Sequence, residues 1–326
     1  MTNAERFAIV TPYYRETREM LERCIDSVKG QSIAADHFVV SDGHPQDWLD
    51  GVGIRHFRLD IAHKDYGNTP RGIGAMLAVS EGYDAIGFLD ADNWYERDHV
   101  EQCCAAANTI LGPPADLVAA KRRFVLADGT VTNLVDEPNH IDTNCYWLLA
   151  GAFHLIHHWL TMAPQLSPLG DRVFYRVANE NGLVMRHTKS VTVNYLGNHQ
   201  PIYHAVGRVA PPDAKPAIIR RPIFDLILGL DQRQQQLLNK RCGFDVVAWA
   251  GSSIGATLQR SRNSLCHCGS GRKYKHCHGT WGDSLVQETA ARGAAREASA
   301  SRERPSGRSD AARWLSTELG ALPSVE

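Results

Sequence analysis

No sign of charge dominates this sequence: 35 Lys and Arg stand against 36 Asp and Glu, a net of −1 at pH 7. That balance creates no broad field to draw in nucleic acid or an anionic membrane surface. No apolar run approaches the ~20 residues a membrane helix needs. The longest candidate, residues 218–230, is broken by Arg220, Arg221, Pro222 and Asp225. The opening Met1-Thr2-Asn3-Ala4-Glu5-Arg6 lacks the charged-then-apolar order of a secretory leader. Cysteine is scarce, 8 in 326 residues, and three of the eight fall within residues 266–277. Such spacing suits free thiols and a metal site in a reducing compartment better than a disulfide framework. The expectation is a soluble, cytoplasmic protein that does not bind nucleic acid.

What is present is an ordinary apolar content, 43%, in a chain long enough for one large domain and a small appendage. Short apolar segments, wholly so at residues 7–10 and largely so at 37–40 and 85–89, read as strands of a sheet covered on both faces. A third strand is expected at 54–59. Between them, residues 17–31 read as a helix with Leu21, Cys24, Ile25 and Val28 inward. A second helix is expected from an N-cap at Thr69 and a proline at its first position, Pro70, with Ile73, Met76, Leu77 and Ser80 on one face. The alternation predicts an α/β fold with a mostly parallel sheet. Further strands are expected at 117–120, 124–126 and 191–193, with a hairpin at Asp128-Gly129. Helices are expected at 96–111 (Val100, Cys103, Cys104 and Leu111 inward), 171–180 and 230–241, and a linker around Pro211, Pro212 and Pro216. His154, His157 and His158 sit at helical spacing without a carboxylate partner, which favours packing over zinc.

Three of the strands end in polar clusters, at residues 11–15, 41–44 and 90–93. In a parallel sheet those ends share one edge, where ligands bind. Asp42, Asp90 and Asp92 therefore line one cleft in this reading. The pair in Phe88-Leu89-Asp90-Ala91-Asp92-Asn93-Trp94 repels itself unless a hard cation lies beside it, although Asp and Asn are also common turn formers.

From residue 7 to about 199 the order of these pieces resembles the family 2 inverting glycosyltransferases, which have the GT-A fold. The resemblance rests on Thr11-Pro12-Tyr13-Tyr14, on Leu21, Ser27, Val28 and Gln31, on Asp42, on Gly67-Asn68-Thr69-Pro70-Arg71-Gly72, and on Phe88 to Trp94 at the right distance from Asp42. It implies a nucleoside-diphosphate sugar donor, held by Thr11, Pro12, Tyr13, Asp42, Asn68, Arg71, Asp90, Ala91 and Asp92. It implies Mn2+ or Mg2+ at Asp92 and at His199, with Asn198 and His204 as the alternatives to that histidine. Tyr13 is either a stacking surface for the base or an ordinary buried aromatic. The general base is expected in an acidic pair at the start of a late helix; Asp171 fits its second position, while Gly170 replaces the first.

Cys266, Cys268, Cys277 and His278 are four tetrahedral zinc ligands within one short stretch, with Gly269-Ser270-Gly271 allowing the reversal between the pairs. So small a unit has no core, so Zn2+ would supply most of its folding energy. The stretch resembles the SEC-C motif of the SecA translocase, and with no open position its site is structural rather than catalytic. Arg262, Arg272, Lys273 and Lys275 make it basic, which suits docking to an acidic protein partner or an RNA surface and equally suits plain solvation. Residues from 281 onward have a composition that predicts disorder, with a short helix at 311–322.

The organisation expected is a GT-A domain at residues 1–225, a helical extension at 226–260, the zinc motif at 261–280 and a tail at 281–326. The function expected is a metal-dependent inverting glycosyltransferase that moves a sugar to an acceptor hydroxyl from a UDP-sugar, with GDP- and dTDP-sugars fitting the same site. Two other readings stay open: a GT-A scaffold that binds nucleotide-sugar with little transfer and is recruited through its zinc motif, and a nucleotidyltransferase.

Overall fold

The computed structural model describes residues 5–108, 112–136, 140–218 and 220–259, and Lys273. The zinc-motif ligands and the tail lie outside the described residues, as does Leu111. The described strands are β1 (Phe7–Tyr13), β2 (Asp36–Asp42), β3 (Arg55–Leu59), β4 (Ala85–Phe88), β5 (Trp94–Tyr95), β6 (Leu117–Val125), β7 (Tyr146–Leu149) and β8 (Met185–Leu196). The helices are α1 (Arg18–Lys29), α2 (Asn68–Ser80), α3 (His99–Ala107), α4 (His157–Leu160), α5 (Gly170–Glu180), α6 (Gln200–Ala205), α7 (Arg220–Leu228), α8 (Gln232–Cys242) and α9 (Val246–Gln259).

These strands form one sheet in the order β3-β2-β1-β4-β7-β6-β8-β5. β1 to β4 are mutually parallel, with Tyr13 opposite Ser41 and Val10 opposite Phe88. The expected shared edge therefore exists: Tyr13, Asp42 and the turn after Phe88 leave the sheet on one side. The sheet is mixed because β7 runs antiparallel between β4 and β6, and β5 runs antiparallel to β8. β7 falls in a stretch whose histidine spacing looked helical; only four of its residues pair, and short 3-10 turns flank it. β6 is one strand where two were expected, and Gly129 (φ 82°) does turn the chain so that Val131 pairs with Val125.

α1 buries Leu21, Cys24, Ile25 and Val28 as its periodicity requires, with the Thr17 side chain accepting from the Met20 amide. α2 departs from expectation twice. Its N-cap is Gly67 in the left-handed region, and Asp65, not Thr69, is the capping side chain, accepting from the Thr69 amide and hydroxyl. Its buried face is Gly74, Ala75 and Ala78, while Met76 is exposed. A Cβ at Gly74 would lie 2.6 Å from Val10 Cγ1, so close seating of α2 on β1 needs the small-residue face. α3 is shorter than expected; it buries Val100 and Cys103 and leaves Cys104 half-buried. α5 buries Val173, Phe174, Val177 and Ala178.

The boundary expected at 225/226 falls inside α7. Phe224 and Ile227 of α7, Cys242 of α8, and Phe244, Val246 and Ala250 belong to the same apolar cluster as β1 and β4. Arg241 ties the end of α8 to the carbonyls of Thr161 and Met162. No helix among the described residues is long and apolar enough to cross a membrane.

Candidate active site

The acidic turn after β4 is held from two sides. Asp90 Oδ1 accepts from Arg71 NH2 at 2.6 Å. Its Oδ2 accepts from Asn144 Nδ2 at 2.9 Å, and its amide donates to Asn144 Oδ1 at 2.6 Å. The Asn144 carboxamide thus closes a ring with Asp90. Asn144 in turn donates to Asp142 Oδ1, and Asp142 Oδ2 pairs with Arg122 at 2.5 Å. Arg122 also donates to Asp136. Burial raises the Asp90 carboxyl above its ordinary range, with Arg71 opposing it and the charges of Asp142 and Asp92 adding to the rise.

Arg71 is buried on the first turn of α2, its guanidinium 5.1 Å from the Trp159 ring centre. It donates to Asn68 Oδ1 at 3.2 Å as well as to Asp90. The same Asn68 oxygen would lie 2.7 Å from a Cβ placed on Gly170. That contact accounts for the missing acid: Asn68 fills the space that a side chain at 170 needs. Asp171, the next residue, is one step from a continuous path through Asn68 and Arg71 to Asp90.

Asp171 Oδ2 pairs with His140 Nε2 at 2.6 Å, and Oδ1 accepts from the Arg172 amide. A carboxylate only accepts, so the His140 proton sits on Nε2. Burial alone would raise the Asp171 carboxyl; the hydrogen bond and charge of His140, with Arg172, reverse this and hold it below the usual carboxylate range.

Asp42 is buried, and its two oxygens accept from the His63 amide, His63 Nδ1 and the Lys64 amide at 2.8–3.0 Å. Lys64 and Tyr66 have φ of 56° and 62°, and Gly67 follows at 77°. Non-glycine residues in that region concentrate at functional loops. Pro12 and Ala91 are buried beside the site. Two expected binding residues turn inward. The Thr11 hydroxyl bonds His37 Nε2 at 2.8 Å within the core. Tyr13 is the buried aromatic rather than a stacking surface: its ring is 2% exposed, and its hydroxyl is used by His56 and by the Gln46 amide. The reason is strand alternation: Thr11 and Tyr13 share one covered face of β1.

Asp92 Oδ2 lies 3.0 Å from Lys215 Nζ. The Lys215 amide donates to the Asn198 carbonyl, and the Gln200 amide donates to the Lys215 carbonyl, so Lys215 pairs with His199 in the chain. His199 Nε2 is 3.3 Å from the Tyr195 hydroxyl. Burial lowers the His199 pKa, and Lys215 lowers it further, against the pull of Asp92. Among the described residues no three His, Cys, Asp or Glu side chains are arranged to hold a metal by themselves. The chemistry nonetheless suits a cation: one already rests on Asp92 as an ammonium. A carboxylate and an imidazole, completed by phosphate oxygens, fit a divalent ion.

Sequence reasoning missed Asn144, His140, Lys215, His63 and Arg122. Asn144 carries a faint local signal, the Asp142-Thr143-Asn144 turn; Lys215, within a proline-rich connection, carries none.

Parallel strands ending in an edge of carboxylates, Asp42 buried and Asp90 and Asp92 half-buried, give this sheet the geometry at which open α/β folds bind ligands. Residues 8–162 match the family model for glycosyl transferase family 2, and residues 262–280 match that for the SEC-C motif. The chain carries a family 2 glycosyltransferase domain with a SEC-C motif near its C-terminus. The protein translocase subunit SecA of Pseudomonas syringae pv. syringae (strain B728a) is 46% identical over 46 residues, which are 14% of this chain and 5% of that one. SecA of Pseudomonas savastanoi pv. phaseolicola is 45% identical over 51 residues, again 5% of its length. Among solved structures, S. aureus TarS 1-349 in complex with UDP has a TM-score of 0.45 at 14% identity, covering 78% of this chain and 75% of that chain. GalNAc-T7 with UDP, GalNAc and Mn2+ has a TM-score of 0.48 at 11% identity, covering 79% and 58%.

Proposed function

We propose that this glycosyltransferase is inverting and metal-dependent, and moves a sugar from a UDP-sugar to an acceptor hydroxyl. The observation that supports the reading is the path Asp171, Gly170, Asn68, Arg71, Asp90, which links a carboxylate held below its usual pKa range to the acidic strand end. Asp171 takes the proton of the acceptor hydroxyl as its oxygen attacks the anomeric carbon, and the bond from that carbon to the diphosphate breaks on the opposite face. His140 holds the Asp171 carboxylate ionised and oriented. Asp42, Asn68 and the backbone around Pro12 and Ala91 position the nucleoside; Arg71 sets the Asp90 carboxylate. Mn2+ or Mg2+ held by Asp92 and His199 would neutralise the charge growing on the leaving diphosphate. Cys266, Cys268, Cys277 and His278 hold a structural Zn2+, and that basic motif recruits a protein partner.

Thermal unfolding against UDP-, GDP- and dTDP-sugars, with and without Mn2+, tests the donor. Ligand at about a hundred times its dissociation constant stabilises by about 2.7 kcal/mol. Metal-dependent stabilisation by UDP-sugar, lost in Asp92→Ala, is expected; no stabilisation by any nucleotide sugar refutes the reading. Asp171→Asn should keep that stabilisation while abolishing transfer, a loss of about 10²–10⁴-fold for a general base.

A further inference from the structure

The transfer chemistry above leaves Lys215 without a role. Its ammonium is 3.0 Å from Asp92 Oδ2, and that carboxylate is 21% exposed. The lysine side chain is 57% exposed, but its backbone is held in place. Its amide and carbonyl are both bonded, at 2.9 Å each, to the backbone flanking His199. Asp92 is fixed as well: its carbonyl accepts from Arg23 NH2 at 2.8 Å, and the Arg23 guanidinium stacks 4.1 Å from the Trp94 ring centre. Asp90 and Glu16 are further charges that both groups feel, and burial raises the Glu16 carboxyl. One Glu16 oxygen is already taken by the Tyr14 and Arg15 amides.

A divalent ion bound to Asp92 would meet the ammonium at close range across one carboxylate, and two cations there repel. We infer that Lys215 and the divalent cation are alternative occupants of Asp92, Lys215 being a tethered counter-cation that keeps the ion weakly bound until a donor diphosphate arrives. This inference rests on the proposed donor site. A diphosphate supplies the negative charge that lets Lys215 leave Asp92 while its backbone stays clasped to the His199 segment. Metal and nucleotide uptake are then coupled, because each removes a cost from the other.

The probe is Mn2+ alone, followed by electron paramagnetic resonance on the full chain. Each variant is read against its Asp92→Asn counterpart, so that ion taken up elsewhere cancels. Lys215→Met should bind Mn2+ about fivefold tighter than wild type, near the upper end for a partly exposed ion pair. Lys215→Arg should stay as weak as wild type, which separates charge from a loss of folding. Added UDP should tighten Mn2+ in the wild type and do so less in Lys215→Met. Equal Mn2+ affinity in wild type and Lys215→Met, with Asp92→Asn still abolishing it, overturns the inference and leaves the donor site standing. No Asp92-dependent Mn2+ uptake in any variant, with or without UDP, removes the metal reading and the inference together.

Discussion

Replacing Arg71 by Met removes the cation bonded to Asp90 and keeps most of the volume packed against Trp159. Arg71 is 3% exposed, so water does not replace the lost guanidinium. Removing one partner of a buried pair costs about 3–5 kcal/mol when the other charge stays ionised; with the Asp90 side chain 33% exposed, about 3 kcal/mol at pH 8 is expected. Asp90 can escape this cost by taking a proton. Burial already raises its folded pKa, and the opposing pull of Arg71 is gone in the variant. A carboxyl with a raised folded pKa binds more protons folded than unfolded, so stability falls as pH climbs from the unfolded value, ~3.9, through the folded one. Arg71→Met should therefore lose less stability at pH 5 than at pH 8. Urea unfolding at both pH values measures this, and a double-mutant cycle with Asp90→Asn should return a coupling of about 2 kcal/mol at pH 8. A cost below about 1 kcal/mol at pH 8, or one equal at both pH values, refutes the reasoning.

Gly170 has helical dihedrals (φ −54°, ψ −44°), so Gly170→Ala is a test of space alone. Overpacking against Asn68 and Trp159 should cost about 1–3 kcal/mol, and Asn68→Gly should relieve it; a thermal midpoint equal to wild type would contradict the contact. His140→Gln removes the group that depresses Asp171. That depression stabilises the fold above the unfolded carboxyl value, ~3.9, and is lost as pH falls through the lower folded value. The variant should be less stable than wild type at neutral pH, with the gap closing on acidification; an unchanged gap down to about pH 2.5 would count against the pair. Cys277→Ser should lower the zinc-to-chain ratio measured by elemental analysis; a ratio unchanged from wild type would exclude it as a ligand.

Much of the fold up to α5 was legible because its signals are local. The inward faces of α1 and α5 follow from 3.6-residue spacing, and the parallel strands follow from apolar runs that end in polar turns. α2 misled because periodicity counts large side chains, whereas the close approach to Val10 selects small ones. β7 was hidden because a short central strand needs no alternation, and the histidines that follow it, His154, His157 and His158, mimicked a helix.

The sequence by itself determined the α/β class, the strand-end acids Asp42, Asp90 and Asp92, Asp171 at a helix start, and the zinc-type cluster. Each is a residue type set by neighbours a few positions away. Only the tertiary structure decided that Thr11 and Tyr13 face inward, that Asn68 excludes a side chain at 170, and that Asn144, His140 and Lys215 close on the acids. Asn144 lies 54 residues from Asp90, His140 31 from Asp171, and Lys215 123 from Asp92. Pairings over such distances are set by how the sheet brings loops together, and no local pattern encodes them.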